Sequence, residues 1–121
     1  MLADPRFAPL FGDESRAEVP IVGRIARPGH PDFMVSGQID RLVVTAKAVL
    51  IADYKTNRNP PRTVEAAPPA YVDQLALYRA LLRHIYPDRT VRAALVWTDI
   101  PDLMEIPPAI LDAALARLTA A

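Results

Sequence analysis

Three residues stand out by type and spacing: Asp40 in Gly37-Gln38-Ile39-Asp40-Arg41-Leu42, and Asp53 with Lys55 in Ile51-Ala52-Asp53-Tyr54-Lys55-Thr56. Both stretches sit in runs rich in valine, isoleucine and leucine and read as strands. Side chains alternate along a strand, so Asp53 and Lys55 share a face and Tyr54 points the other way. A hairpin that set Asp40 beside Asp53 would bring two carboxylates together, and their repulsion is relieved by a cation between them. Hard oxygen ligands of this kind suit Mg2+, with Mn2+ as a substitute; the Tyr54 backbone carbonyl is a further candidate ligand. Such an ion polarises a phosphodiester and acidifies a bound water. Lys55 would orient that water or offset charge growing on the phosphate. An Asp-x-Lys at a strand end is, taken alone, usually a solvated turn, so its surroundings must decide.

The elements that would position these residues can be read along the chain. Residues 1–17, with Pro5, Pro9 and Gly12, read as an irregular N-terminal arm, and residues 18–121 as a single domain. Glu18 to Ile25 reads as a first strand, which Pro20 confines to a sheet edge or to the strand's start. Arg27 to Asp32 reads as a loop, Phe33 to Thr45 as a second strand and Val49 to Thr56 as a third. The turn between the last two, Thr45-Ala46-Lys47-Ala48, lacks glycine and asparagine, so its hairpin signal is weak. Asn57 to Pro69 is a long proline-rich loop, of the kind that is often functional or mobile. In Tyr71 to Tyr86 the apolar residues Tyr71, Leu75, Tyr78, Leu81, Leu82 and Ile85 recur at helical steps, and Pro87 ends the pattern. Val91 to Thr98 is a fourth strand, and Pro107-Pro108 open a last helix to about Leu118. The order β-β-β-α-β-α predicts an α/β fold, a mixed central sheet with flanking helices, in which a crossover helix lets the third and fourth strands run parallel.

Composition narrows the function classes. The chain of 121 residues is long enough for one domain, and 51% hydrophobic residues are enough for a core without staples. There is no cysteine, which excludes disulfides, a thiolate zinc site, an iron–sulfur cluster held by this chain and a cysteine nucleophile. No apolar run approaches a membrane span, and the N-terminus has no signal-peptide pattern, so a cytoplasmic location is expected. Fourteen basic residues balance fourteen acidic ones, which counts against strong DNA binding by this piece alone. Twelve of the basic residues are arginines. That bias suits phosphate contact and equally suits a GC-rich coding sequence. Lys55 is one of only two lysines, with Lys47.

Four stretches taken together resemble a known family: Ala17-Glu18-Val19-Pro20, Gly37-Gln38-Ile39-Asp40-Arg41-Leu42, Asp53-Tyr54-Lys55-Thr56-Asn57-Arg58, and Tyr71-Val72-Asp73-Gln74-Leu75-Ala76-Leu77-Tyr78. In this order they resemble the PD-(D/E)XK nuclease superfamily, its RecB-like branch, and most of all the C-terminal nuclease domain of AddA-type helicase–nuclease subunits. The resemblance implies a restriction-endonuclease-like core and a metal-dependent deoxyribonuclease, an exonuclease acting in double-strand break repair and recombination. It implies Asp40 and Asp53 as metal-binding acids, Lys55 as the catalytic lysine, and Glu18 as an upstream acid. Gln74, Tyr78 and Arg58 are implied as DNA contacts.

Two departures qualify what the resemblance implies. Family members carry a preceding helix with a histidine that joins the metal site. That N-terminal helix is missing here, and neither His30, in a loop, nor His84, in the long helix, replaces it. The chain also has no Gly-x-x-x-x-Gly-Lys-Ser/Thr phosphate loop. It therefore reads as a fragment of a longer helicase–nuclease, with DNA, the helicase portion of the same polypeptide and a second nuclease/helicase subunit as partners. A stand-alone nuclease of the same superfamily, or a non-catalytic module that keeps the fold to bind DNA or a partner subunit, remain the alternatives. A lone domain of this kind is expected to be a weak enzyme and to form a homodimer or aggregate rather than a clean monomer.

Overall fold

The computed structural model describes residues 12–120. Its elements in chain order are β1 (Ser15–Arg27), β2 (His30–Val44), β3 (Ala48–Lys55), a 3-10 turn (Val64–Ala66), α1 (Pro69–Ile85), β4 (Thr90–Trp97), β5 (Asp102–Ile106) and α2 (Pro108–Leu118). The strands form one mixed sheet in the order β1-β2-β3-β4-β5. All neighbours are antiparallel except β3 and β4, which run parallel across the α1 crossover. The α/β class and the mixed sheet follow the expectation from sequence.

Three boundaries differ from that expectation. The arm expected over residues 1–17 is in part a strand, because β1 already pairs with β2 at Ser15↔Val43; residues 1–11 lie outside the described residues. Among the described residues β1 is the first element, and no helix precedes it. The expected loop from Arg27 to Asp32 shrinks to Pro28-Gly29, with Arg27 opposite His30. Proline presets the first turn position and Gly29 takes φ 76° at the second, the combination a type II turn requires. The third difference is β5. Its five residues hold a single β-branched side chain and are fenced by Pro101 and Pro107, so local sequence carries little strand signal. Pairing with β4 creates it, helped by an exposed two-pronged ion pair between Arg92 and Glu105.

The turn between β2 and β3 closes without glycine because Thr45 replaces what glycine would have allowed. Its backbone N–H donates to the Ala48 carbonyl at 2.9 Å, and its hydroxyl both donates to that carbonyl and accepts from the Ala48 N–H, each at 3.0 Å. Pro20 lies on β1, the sheet's edge, where its missing N–H breaks no ladder.

Both helices cover one face of the sheet. Val72, Leu75, Ala76, Tyr78, Leu81 and Leu82 of α1 and Leu111 and Ala114 of α2 join Ile39, Ile51, Leu95 and Trp97 in a single buried cluster. The helices are tied by Arg79 to Asp112 at 2.7 Å and by Arg117 to Asp73. Val43, Ala52 and Val96 form a smaller cluster on the other face.

The closest approach of helix to sheet explains Gly37. A Cβ there would lie 2.0 Å from the Tyr78 hydroxyl and 2.9 Å from the ring carbon that bears it. Tyr78 is buried, so it cannot swing aside. Gly37→Ala is expected to cost about 1–3 kcal/mol through overpacking. In a Tyr78→Phe background part of that cost should vanish, since the nearest clashing atom is gone. Urea denaturation of the double-mutant cycle checks this; purely additive costs would contradict the contact.

Candidate active site

The acids meet because two strands lose their regular pleat at the same level. Ile39 and Leu42 both enter the main core, although strand alternation over three positions would send them to opposite faces. Asp40 and Arg41 lie in the break. On β1 the residue at the level of Asp40 is Glu18, between the pairs Ala17↔Arg41 and Val19↔Ile39, and it adopts φ 54°. The β2–β3 ladder stops at Arg41↔Ala52. Beyond it the Asp40 carboxylate takes the place of a backbone carbonyl, and its Oδ2 accepts the Tyr54 N–H at 2.8 Å. A side chain thus continues the sheet where the strands part, and Asp40 is carried against Asp53.

Asp53 and Lys55 close β3, on the face that α1 covers. Asp53 is 9% exposed, the one buried charged residue among those described. Burial pushes its carboxyl up to about 6, the adjoining Asp40 carboxylate pushes the same way, and the Lys55 ammonium opposes both. Lys55 Nζ stands 2.9 Å from Asp53 Oδ2. The approach is off the hydrogen-bond direction, so Oδ2 has an ion-pair partner and no aligned donor. The strand end is secured by Thr98, whose N–H and hydroxyl donate to the Lys55 carbonyl at 2.9 and 3.2 Å.

Helix α1 supplies the other wall. The Tyr71 ring lies under Lys55 Nζ at 4.2 Å from its centroid, and its hydroxyl donates to Asn57 Oδ1 at 3.1 Å. Trp97 backs that ring at 6.1 Å. Tyr71 entered the sequence reading only as an apolar helix residue. Its place three residues before Gln74, on the same helix face, is the signal that could have flagged it. Gln74 is half-buried and donates to the Tyr78 hydroxyl at 3.1 Å.

The residues singled out from sequence separate accordingly. Asp40, Asp53 and Lys55 come together, and Tyr54 joins them through its N–H. Arg58 is exposed in the loop after β3. Tyr78 departs from its expected place as a DNA contact: at 4% exposure it is a core residue against Gly37. Glu18 is exposed, and among the described residues no three His, Cys, Asp or Glu side chains group so as to hold a metal, so it does not complete a triad with the two aspartates. His30 opens β2 ten residues from Asp40, about 33 Å along an extended strand. His84 lies in the last turn of α1.

The donor set fits a divalent cation. Two adjacent carboxylates, one of them buried with an oxygen that lacks an aligned donor, are the hard anionic ligands such an ion requires. Asp40 and Asp53 would hold it, with the Tyr54 carbonyl and waters as further oxygen donors.

With this geometry established, a profile of the PD-(D/E)XK nuclease superfamily matches residues 5–117 of the chain. The chain belongs to the PD-(D/E)XK nuclease superfamily, and its α/β core is a nuclease domain of that class. Among solved structures it is similar to one titled "Crystal structure of SSO0001", with a TM-score of 0.52 and 17% identity over 90% of this chain. The match spans 52% of that longer chain, about half its length, and at this identity it shows the fold alone. No curated protein matches the sequence.

Two outcomes follow, one from the charge at the site and one from its geometry. Asp53 binds its proton more tightly folded than unfolded. Without metal, its contribution therefore favours folding below about pH 4 and is lost as pH rises through about 6. Above that, the ionised carboxylate costs on the order of 2–3 kcal/mol. Asp53→Asn should stabilise the metal-free domain at pH 8 and not at pH 4, the attraction to Lys55 being already counted in the raised carboxyl. A lower denaturant midpoint at pH 8 would oppose this.

The second outcome uses the two lysines. In protein labelled with 13C-lysine, the ε-methylene signal of Lys55 should be shifted upfield of that of Lys47 by the Tyr71 ring. Tyr71→Phe should keep the shift and Tyr71→Leu should abolish it. Coincident lysine signals in the parent protein would contradict the contact.

Proposed function

We propose that this domain hydrolyses phosphodiester bonds of DNA at Asp40, Asp53 and Lys55, as the nuclease part of an AddA-like machine that processes double-strand breaks in the cytoplasm. The observation that carries the reading is the set itself: two adjoining carboxylates and an ammonium at the end of parallel strands, with the lysine held between Asp53 and an aromatic ring.

A Mg2+ or Mn2+ ion bound by the two aspartates supplies Lewis acidity and a more acidic water. The chain's own residues do the rest. Asp40 is fixed by the Tyr54 N–H, so one ligand is already oriented. Asp53, buried beside Asp40 with its carboxyl raised to about 6, is the ligand whose charge a cation relieves most. Lys55 offsets charge that grows on the phosphate and orients the attacking water. Arg58, exposed in the loop after β3, is read as a contact to a backbone phosphate, and Gln74, on the same helix face as Tyr71, as a second DNA contact. An exonuclease fed by a helicase tolerates a neutral surface, because the motor supplies the local substrate concentration that a basic patch would otherwise provide.

One observation favours a second reading, a binding module without turnover: no third metal-ligating side chain joins the pair among the described residues. Cleavage of linear DNA with Mg2+ or Mn2+, alongside calorimetry of metal binding, separates the two. We expect slow, Mn2+-favoured cleavage by the isolated chain. Asp53→Ala should lose both metal binding and cleavage. Lys55→Ala should lose cleavage about 100-fold or more while metal affinity stays within a few-fold, and Lys55→Arg should rescue incompletely because its planar fork sets the charge elsewhere. Metal binding with no cleavage of single- or double-stranded DNA by the parent protein would leave the binding module. Equal loss of metal affinity in Lys55→Ala would remove the role assigned to the lysine.

A further inference from the structure

A cavity of about 310 Å3 opens beside the catalytic set, lined by Pro60, Pro61, Arg62, Trp97, Ile100, Pro101 and Asp102. Its volume is at the lower end of what small-ligand pockets occupy. Its position follows from the strand register. Lys55 pairs with Trp97 across β3 and β4, and Trp97 pairs with Asp102 across β4 and β5. Directly paired residues share a face, and each strand step is about 4.8 Å. The cavity therefore begins about one strand beyond Lys55, on the same face. A nucleotide whose phosphate stood at Lys55 would have its neighbour within reach of it.

The lining suits a nucleobase better than a phosphate. Three proline rings give stiff, apolar walls, since their backbone torsions are restricted. Ile100 is a large apolar side chain left 57% exposed at the rim. Trp97 is wholly buried, and its indole N–H has no acceptor. A buried donor without a partner is unusual, and Trp97 belongs to the cavity's lining, so a local shift of that lining would let a seated base offer it an acceptor. Every nucleobase offers an acceptor edge as well as an apolar face, so the recognition would be tolerant of sequence. Arg62, exposed on the same loop, supplies the charge that the attached phosphate needs.

We propose that this cavity is a subsite for the unpaired base of the nucleotide next to the bond being cut. Bases stacked in a duplex cannot enter it, so it selects single-stranded DNA or a frayed end. The proposal rests on the nuclease reading of Asp40, Asp53 and Lys55, but its test needs no cleavage.

Trp97 is the only tryptophan in the chain, so its fluorescence reports on the subsite directly. The 121-residue protein, without metal, is titrated with a short oligothymidylate, with the matching abasic deoxyribose-phosphate oligomer, and with inorganic phosphate. The oligothymidylate is expected to change Trp97 emission and to bind about fivefold or more tighter than the abasic oligomer. Ile100→Gln, an uncharged polar change at an exposed position that keeps the reporter, should erase that difference and leave abasic binding unchanged. Trp97→Phe, followed by anisotropy of labelled oligomers, should weaken the base-bearing strand alone. Equal affinity for the two oligomers, or an unchanged preference in Ile100→Gln, would overturn the subsite. Either result could coexist with normal metal-dependent cleavage, so the nuclease reading would stand or fall separately.

Discussion

Two carboxylates set against each other at the end of a largely buried sheet repel, and the rest of the site can be read as the means of holding them there. Asp40 is restrained by a hydrogen bond from the Tyr54 backbone N–H, at the point where the β2–β3 ladder gives out. Asp53 is kept from water by the sheet and by α1, at the cost of a carboxyl raised to about 6. Lys55 offsets part of that cost and lies within 2.9 Å. The arrangement is stable enough to fold and yet electrostatically incomplete, which is the condition under which a divalent cation gains most by binding.

Helix α1 turns this local arrangement into a rigid one. Its inner face carries Tyr71, Gln74 and Tyr78 along one line. Tyr71 lies against the lysine and against Trp97, Gln74 bonds the Tyr78 hydroxyl, and Tyr78 presses on the bare backbone of Gly37. The helix is thereby locked to β2 and β3 at once, the two strands that carry the acids. The glycine in the Asp40 stretch is thus a packing requirement, set three residues away from the chemistry it supports. Pro68 and Pro69 start the helix abruptly at the end of a long loop, so its first turn stands at the site.

Under the proposed function, the charge balance of the chain limits how it can hold DNA. With fourteen basic and fourteen acidic residues, counterion release adds little to binding. Several arginines are also committed within the fold: Arg79 and Arg117 tie the helices together, and Arg92 tethers β5. Under that proposal, affinity for substrate comes from apolar and metal-mediated contacts close to the site, or from a partner that delivers the strand.

Much of this was legible in the residues alone. The alternation of strand side chains placed Asp53 and Lys55 on one face, helical spacing marked the inner stripe of α1, Pro20 pointed to an edge, and Pro108 marked the start of α2. These are local rules, set by backbone geometry within a few residues. What local rules could not decide needed a partner from elsewhere in the chain. β5 exists because β4 offers it a ladder. Tyr78 is buried because Gly37, forty-one positions earlier, leaves room for its hydroxyl. Tyr71 reaches Lys55 only once the crossover has folded back. Glu18 stands level with Asp40 yet outside the pair, exposed on β1 where its backbone takes a positive φ. Residue types and periodicity determined which groups could do chemistry; the register between strands, and the one helix clamped across them, decided which of those groups meet.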